Sequence, residues 1–163
     1  MLQLSSRENL ELVKVTAGSF TMGAQRRGGT SGKDETPHQV TLTKDFYIAR
    51  TPVTQAQWKA VMGSNPSHSI FDRGSRGLYP VDCVTWHDAM AFCEKLNERG
   101  KAPAGYKFTL PTEAQWEYAA RGGSESRGYR YSGGNNFKEV VQCYETLAHW
   151  RDSCPVAQKQ PND

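Results

Sequence analysis

The sequence predicts an α+β fold in which irregular loops outnumber the helices and strands. Three observations support this prediction. Short segments near the N-terminus alternate apolar and polar residues, three later segments carry helix-start signals, and the stretches between them are rich in glycine. A length of 163 residues predicts one domain that can bury a core of its own. Within it, residues 1–9 are expected to be disordered.

Short strands are predicted in the N-terminal part of the chain. Residues 11–22 (ELVKVTAGSFTM) predict two strands around a turn at residues 17–18. Residues 39–43 (QVTLT) alternate with the period of two that is typical of a half-buried strand, and residues 46–48 predict one more extended segment. Between these strands, the polar and glycine-rich residues 24–36 predict a surface loop.

The first and third predicted helices begin with the same local signal, a capping box. Thr54 is followed by Gln57 three residues later, and Gly63 is expected to end that helix. Thr112 and Gln115 repeat the spacing at the start of the third helix. In a capping box the threonine oxygen accepts a hydrogen bond from the third amide of the helix, while the glutamine side chain reaches back to the threonine amide.

Thr85 opens the second predicted helix, which runs to about Arg99, and Gly100 suits the position after its end. One face of this helix is apolar at helical spacing, with the residues Trp86, Ala89, Phe92, Cys93 and Leu96. After the third helix, residues 122–136 predict a long irregular loop. The sequence does not decide whether residues 137–150 form a short helix or irregular structure.

Composition and charge exclude several classes of protein. No run of about 18 apolar residues occurs, which excludes a membrane-spanning helix. With 10% aromatic and 23% charged residues, the chain is too aromatic and too weakly charged for a disordered tail. A net charge of +3 alone does not predict nucleic acid or a membrane surface as a partner. Because no secretory signal is recognisable, the four cysteines are expected to be reduced and the protein cytoplasmic.

Two segments suggest nucleotide or nucleic-acid binding, but each has a simpler interpretation. Residues 28–33 (GGTSGK) resemble a phosphate-binding loop, yet Arg27 replaces its first glycine and Asp34 replaces its hydroxyl residue. Residues 127–131 (RGYRY) interleave basic and aromatic side chains, as proteins that bind single-stranded nucleic acid do. A solvated loop whose tyrosines fold back onto the core is favoured, because the net charge is small.

The cysteines and histidines form no strong metal-binding or nucleophile motif. Cys83, His87 and Cys93 could converge on a metal, but they lack the closely spaced ligand pairs of zinc sites. Cys93 is instead predicted to be a small core residue. The other two cysteines flank a histidine, and this order alone does not make a catalytic pair. These residues are Cys143, His149 and Cys154.

Three tryptophans fall near the first turn of a predicted helix. They are Trp58, Trp86 and Trp116. Their expected role is packing in the core, with the indole N–H bound to a carbonyl group. They therefore indicate a fold more than a reaction.

Six segments follow one another in a recognisable order. They are residues 19–23 (SFTMG), 37–40 (PHQV), 52–58 (PVTQAQW), 62–67 (MGSNPS), 80–89 (PVDCVTWHDA) and 110–123 (LPTEAQWEYAARGG). In this order and spacing the chain resembles the formylglycine-generating enzyme, or sulfatase-modifying factor, family, from about residue 10 to the end. The signature residues are expected to be structural. They are Pro52, Thr54, Trp58, Pro80, Val81, Trp86, Leu110, Pro111, Thr112, Glu113, Trp116 and Arg121.

The resemblance implies a loop-rich fold related to C-type lectins. The best-known members of the family use copper and oxygen to convert a substrate cysteine into formylglycine in sulfatases. Related domains serve in sulfoxide synthesis, and others are ligand-binding modules. The fold alone therefore does not determine the function.

The family pattern includes blocks that do not occur in this sequence. They are G-L-Y-D-M-x-G-N-V-W-E-W, R-G-G-S-W and a closing G-F-R. The resemblance implies that this region would hold the copper-binding cysteine pair and one calcium site. The other calcium site uses an asparagine in a segment like residues 148–150, which contain none. We therefore expect no catalytic, cofactor or metal residue here, and residues 1–163 to form a partial domain, truncated at its C-terminus.

The sequence favours a sulfatase-modifying-factor-like domain that lacks oxidase activity on its own. It would be a shortened paralogue, the product of an interrupted reading frame, or half of a split domain whose completing C-terminal half supplies the chemistry; self-association is another way to cover its open edge. The alternative is a lectin-like module that presents residues 24–36 and 122–136 to a protein or small ligand. An independent enzyme with its own Cys/His site is less favoured. Nucleic acid and membranes are not expected as partners.

Overall fold

A computed structural model describes the greater part of the chain. The described residues are 1–23, 36–68, 77–100, 102–141 and 154–162. Short strands come first along these residues, and helices follow. The strands are β1 (Leu2–Gln3), β2 (Asn9–Leu10), β3 (Leu12–Val15), β4 (Gly18–Met22), β5 (His38–Leu42) and β6 (Phe46–Ala49). The helices are α1 (Gln55–Met62), α2 (Trp86–Glu98), α3 (Glu113–Ala120), a 3-10 turn (Gly123–Glu125) and α4 (Phe137–Val140).

The strands form two-stranded ribbons that pair β1 with β2, β3 with β6 and β4 with β5. In the β4–β5 ribbon, Phe20 lies opposite Val40 with both side chains half-buried. On the other face Ser19 and Thr41 are exposed, and their hydroxyl oxygens are 2.8 Å apart. One face is apolar and the other polar, as the alternation of the sequence predicts. The predicted α+β class is therefore confirmed.

The predicted capping boxes are present at the helix starts. Thr54 Oγ1 accepts a hydrogen bond from the Gln57 amide at 3.2 Å, and Gln57 Oε1 accepts one from the Thr54 amide at 2.9 Å. The predicted pair at the start of α3 makes the same two bonds. α2 begins after Thr85, as predicted, and Asp88 completes a third box there, a partner that the sequence pattern did not identify. Gly63 ends α1 with a φ of 89°, in the left-handed region that glycine occupies readily.

The chain divides into two compact units. Unit 1 contains Met1–Val13, Ala49–Leu110 and Gln142–Lys159, and unit 2 contains Lys14–Ile48, Pro111–Val141 and Gln160–Asp163. The single domain predicted from the sequence is thus made of two bodies, each assembled from segments that are distant along the chain.

Unit 1 is built around an apolar core. Its buried residues come from the N-terminal segment, α1 and α2, and are Leu2, Leu4, Leu10, Trp58, Val61, Phe92 and Leu96. The rings of Trp58 and Phe92 stack with their centroids 5.2 Å apart. Cys93 is buried on the same helix, which confirms that it is a core residue. The apolar spacing of α2 therefore identifies most of its buried face.

The first residues of unit 1 differ from the disorder predicted for residues 1–9. β1 and β2 pair antiparallel, with Leu2 opposite Leu10. Leu2 and Leu4 are buried in the core of unit 1, so their burial stabilises the ribbon. Strands of two residues are too short to produce a periodic pattern, which explains why the sequence analysis does not predict them.

Unit 2 has fewer buried apolar side chains. Among its described residues these are Phe46 and Tyr118. The ring of Tyr118 lies 5.2 Å from the ring of Phe20, so α3 packs against β4. Within the described residues of the chain, we find no helix with the length and apolar character needed to cross a membrane.

Candidate functional site

The three tryptophans predicted to lie in the core have different surroundings. Trp58 is 5% exposed, which confirms the prediction for α1. Trp86 and Trp116 are 62% and 61% exposed, so the prediction that they pack in the core is wrong. Trp58 and Trp116 both lie four residues after their capping threonines, so the position in the helix does not decide which of them is buried. Helical spacing alone does not distinguish these positions from buried ones.

Trp116 lines a cavity of about 510 Å³ in unit 2. One wall comes from α3 and the other from the loop that follows it. The aromatic, charged and polar side chains of its lining include those of Trp116, Arg121, Tyr129, Arg130, Ser132 and Asn162. A volume of this size lies within the range of small-molecule sites in proteins, about 300–1,000 Å³.

Arg121 holds the end of α3 to the end of β4. Its Nε donates to Glu117 Oε1 at 2.9 Å, and its Nη2 donates to the carbonyl oxygen of Gly23 at 2.7 Å. The Gly23 amide in turn donates to Glu117 Oε1 at 2.9 Å. The guanidinium group is therefore engaged with a carboxylate and a backbone carbonyl. Arg121 therefore stabilises the wall of the cavity that α3 forms.

The loop that forms the second wall is held by hydrogen bonds between its own residues. Asn135 Oδ1 accepts from the Arg130 amide at 3.0 Å. Tyr131 and Gly134 exchange backbone hydrogen bonds of 3.0 and 3.2 Å, which closes a tight turn. The ring of Tyr131 lies 6.2 Å from the ring of Phe137 in α4. The predicted irregular loop is therefore confirmed in outline, although it is locally ordered by these bonds.

The two loop tyrosines have different environments. Tyr131 is half-buried, as expected for a tyrosine that folds back onto the protein. Tyr129 is 37% exposed and lines the cavity, so the prediction that both tyrosines fold back is wrong for Tyr129. The guanidinium carbon of Arg130 lies 5.4 Å from the centroid of the Tyr131 ring. The cavity therefore combines aromatic surface with a positive charge.

Asn162 closes the cavity on the side of α3. Its side-chain amide donates to the carbonyl oxygen of Ala119 at 2.8 Å. The same oxygen also accepts a hydrogen bond from the Gly122 amide at 3.0 Å. Asn162 therefore adds a second hydrogen bond at the end of α3.

The signature residues lie in two groups. In unit 1, Thr54 forms an isolated bridge with Pro80, and the Val81 amide donates to the carbonyl of Val53 at 2.9 Å. These contacts join the segments that lead into α1 and α2. The second group leads into α3 and continues to its C-terminal end. All of its members belong to unit 2 except Leu110, which belongs to unit 1. Its members are Leu110, Pro111, Thr112, Glu113, Trp116 and Arg121.

The described cysteines do not have the features of an activated thiol. Cys83 is exposed, and its hydrogen bond with the Asp82 side chain raises the pKa of the thiol. Burial raises the pKa of Cys93. A nucleophilic or metal-binding cysteine reacts as the thiolate, which a raised pKa disfavours. Cys154 is half-buried as a free thiol. Cys143 and His149 lie outside the described residues.

No metal site is formed by the residues that the structure describes. Within these ranges, no three side chains of His, Cys, Asp or Glu come close enough to hold an ion. His87 contacts the Trp86 ring edge-on at 5.1 Å. The segment 28–33, which resembles a phosphate-binding loop, lies outside the described residues.

Comparisons with known proteins identify relatives across most of the chain. Residues 2–163 match the family model of the sulfatase-modifying factor enzyme 1-like domain. The chain is 36% identical to the chaperone protein LppX of Paenibacillus barcinonensis, covering 80% of this chain and 52% of that protein. It is 32% identical to the formylglycine-generating enzyme of Mus musculus, covering 74% of this chain and 26% of the enzyme. The chain therefore spans about half the length of LppX and about a quarter of the mouse enzyme.

The fold is also similar to that of a solved structure, PvdO from Pseudomonas aeruginosa. The TM-score is 0.67 at 26% sequence identity, and the similarity covers 94% of this chain and 64% of PvdO. A likeness of this extent agrees with the match to the family model. The predicted resemblance is therefore confirmed from both sequence and fold.

Proposed function

Because the chain belongs to the family of sulfatase-modifying factor enzyme 1-like domains, we propose that it is a formylglycine-generating-enzyme-like domain that does not oxidise cysteine on its own. The observation that supports this proposal is the state of its thiols. Cys83 and Cys93 both have a raised pKa, and neither belongs to a group of metal-ligating side chains within the described residues. A copper-dependent oxidation needs thiolates that can bind the metal.

Oxidase activity of the family type would then require a completing polypeptide. The blocks that the resemblance assigns to the copper-binding cysteine pair do not occur in this sequence. We propose that a C-terminal half, in this or another chain, would supply that pair. The present residues would then contribute the framework of α1, α2 and α3, and not the reacting groups.

The proposal is tested with purified residues 1–163, a cysteine-containing peptide of the sulfatase type, copper, oxygen and a thiol reductant that supplies electrons and keeps the peptide cysteine reduced. Mass spectrometry reports whether the peptide thiol becomes an aldehyde. The mouse formylglycine-generating enzyme is the positive control. We expect an unchanged peptide with the chain and a converted peptide with the control. Conversion by the chain alone would overturn the proposal. Near-UV circular dichroism of the same sample shows whether the stacked rings of Trp58 and Phe92 are ordered.

A ligand-binding module is the second candidate, and one specific observation favours it. Trp116, which is 61% exposed, lines a cavity of small-molecule size beside the loop of residues 122–136. Exposed aromatic surface in a concave site is typical of a place where a ligand is bound. Of the two loops that the sequence suggests for binding, residues 24–35 lie outside the described residues. The binding proposal therefore rests on residues 122–136.

Deletion of residues 124–134, bridged by a short Gly-Ser linker, tests the binding module. Ligand-observed NMR with a mixed fragment library compares the deletion variant with the parent chain. We expect hits on the parent that are lost in the deletion variant. Trp86→Ala is the matched control, because it removes an equally exposed tryptophan outside the cavity. Unchanged hits after the deletion would contradict the loop assignment, and an absence of hits on the parent would contradict the module itself.

We also propose that the protein works in a reducing compartment such as the cytoplasm. The described thiols of Cys83, Cys93 and Cys154 are free. Free thiols are typical of a reducing environment, since oxidising compartments favour disulfides. Alkylation in the presence of a denaturant, applied directly to lysed cells so that the buried Cys93 also reacts, should modify these thiols, as mass spectrometry would show. Thiols protected by disulfides would contradict the proposal.

A further inference from the structure

We propose that the cavity beside Trp116 binds a small ligand in which a flat ring carries an anionic group, a chemistry shared by nucleoside monophosphates and aromatic carboxylates. The inference rests on the binding module proposed above and adds the class of its ligand. It follows from three properties of the cavity: an uncovered ring, an available positive charge and a limited volume.

The uncovered ring is the indole of Trp116. It lines the cavity and is 61% exposed over the whole residue, and Tyr129 adds a second lining ring that is 37% exposed. An indole presents a broad apolar face, on which another flat ring can stack with an offset. Stacking of this kind is tolerant of the identity of the ring, because every aromatic ring has a π-face. The aromatic wall therefore favours ligands that contain a flat ring.

The available charge is that of Arg130. The guanidinium of Arg121, the other cavity arginine, is engaged with Glu117 and the Gly23 carbonyl. Arg130 lies against the ring of Tyr131, and it forms no ion pair with the carboxylates in the part of the chain that the structure describes. A guanidinium is always protonated and can bind a carboxylate or phosphate through two parallel hydrogen bonds. Arg130 therefore selects for an anion.

The composition and size of the cavity narrow the ligand class further. Its lining includes no Asp or Glu, so nothing in it repels a negative charge. The Ser132 side chain adds a hydroxyl group that can donate to the same anion. A volume of about 510 Å³ accommodates one ring system and its anionic substituent. Single-stranded nucleic acid, which the sequence disfavours as a partner of residues 127–131, would need a track of positive charges beyond this cavity.

Isothermal titration calorimetry with defined probes tests the ligand class. Adenosine 5′-monophosphate and indole-3-acetate each combine a ring with an anion, and they distinguish the nucleotide source from the aromatic carboxylate. Adenosine supplies the ring alone, and inorganic phosphate supplies the anion alone. We expect at least one combined probe to bind about 10-fold or more tightly than either single-feature probe. Equal binding by adenosine or phosphate, or no binding by both combined probes, would overturn the proposal.

Two variants with matched controls locate the binding. Trp116→Ala should weaken the better combined probe by about 10-fold or more, while Trp86→Ala leaves its affinity unchanged. Arg130→Gln should weaken that probe by about 10-fold and leave adenosine binding unchanged, because adenosine has no anion. Lys138→Gln removes a charge from α4 outside the cavity and should have no effect. Equal losses in the control variants would overturn the location, and melting temperatures verify that each variant is folded.

The outcomes separate this inference from the proposed function. If the combined probes fail while the fragment library still yields hits that need residues 124–134, the ligand class is wrong and the binding module stands. If both fail, the binding module fails with it. An octathymidylate that binds far more tightly than adenosine 5′-monophosphate would replace the small ligand with single-stranded nucleic acid and would overturn the proposal.

Discussion

In unit 1 seven apolar side chains are buried in one core, whereas in unit 2 the buried apolar side chains among the described residues are Phe46 and Tyr118. Polar contacts occur in both units, for example between Arg121 and the Gly23 carbonyl in unit 2 and between Arg99 and the Leu4 carbonyl in unit 1. Burial of a large apolar side chain contributes roughly 1.5–3 kcal/mol. A typical hydrogen bond contributes roughly 0.5–1.5 kcal/mol net, because it replaces one made to water.

The difference indicates that the two units contribute differently to stability and to binding. Unit 1 supplies a core that stabilises the framework, and unit 2 presents the cavity with the exposed Trp116. Ligand-binding segments in proteins are drawn from regions with few buried apolar contacts, since such regions can adjust to a ligand. On this basis we expect substitutions in unit 1 to change stability most, and substitutions in the cavity to change binding with little loss of stability.

The largest expected effect follows from removing the central ring of unit 1. Trp58→Ala deletes a side chain that is 5% exposed and stacked on Phe92, and should lower the free energy of unfolding by about 3–5 kcal/mol. Trp86→Ala removes the same side chain from an exposed position and should change it by no more than about 0.5 kcal/mol. Urea denaturation followed by far-UV circular dichroism measures both. Similar losses in the two variants would contradict the assignment of the core.

The next effect concerns the contact that joins α3 to β4 in unit 2. A methyl group added at Gly18 would overlap the hydroxyl oxygen of Tyr118. Gly18→Ala should therefore lower the free energy of unfolding by about 1–3 kcal/mol, the usual result of overpacking. Combining it with Tyr118→Phe removes the overlapping oxygen and should recover part of the loss. A double-mutant cycle measures the coupling, and strictly additive effects would show that the two residues do not touch.

The sequence predicts the features of this fold that depend on near neighbours along the chain. The capping boxes at Thr54 and Thr112 are each complete within three residues, so their pattern alone identifies them. The strands β4 and β5 were likewise predictable, because alternation extends over five residues in each. The order of the signature blocks predicts the family for a different reason, since it is a resemblance and not a physical derivation.

The features that the sequence does not predict depend on residues far apart in the chain. The exposure of Trp116 is decided by what packs around α3, and helical spacing carries no information about it. The role of Arg121 depends on Gly23, 98 residues away. The cavity itself joins α3 to residues 129–133, whose composition is equally typical of a solvated loop. Sequence reasoning found the aromatic and basic residues of this loop but could not place Trp116 beside them.

A smaller loss of stability is expected from removing a capping threonine, and the loss can be compared between the two units. Thr54 is buried at the start of α1, and Thr112 is exposed at the start of α3, yet both make the same pair of hydrogen bonds. Thr54→Ala should lower the free energy of unfolding by about 2 kcal/mol, and Thr112→Ala by about 0.5–1 kcal/mol. Water can replace the lost bond at the exposed cap but not at the buried one. Serine at either position retains the hydroxyl group and is the control. A larger loss at Thr112 would reverse the comparison.

The smallest expected effect is a pH dependence in unit 2. The Ala17 amide, bound to Asp45 at 2.9 Å, and then the Lys14 ammonium lower the pKa of the Asp45 carboxyl below its ordinary value. A pKa that is lower in the folded state than in the unfolded state stabilises the fold above the unfolded value, about 3.9, and this contribution is lost as the pH falls through the folded pKa.

Asp45→Asn should therefore have a lower free energy of unfolding than the parent at pH 7. The loss should be smaller than that expected for Thr54→Ala or Thr112→Ala, and it should shrink below about pH 4. Asp88→Asn gives the matched measurement in unit 1, where the Thr85 hydroxyl and then its amide lower the pKa of the carboxyl. Urea midpoints at pH 7, 5 and 3 measure both variants. Because each carboxylate is partnered in its own unit, the two acid dependences should have the same sign. If the stability difference between the parent and Asp45→Asn widened towards low pH, the Asp45 carboxylate would oppose folding. The polar contacts of unit 2 would then not offset its smaller core.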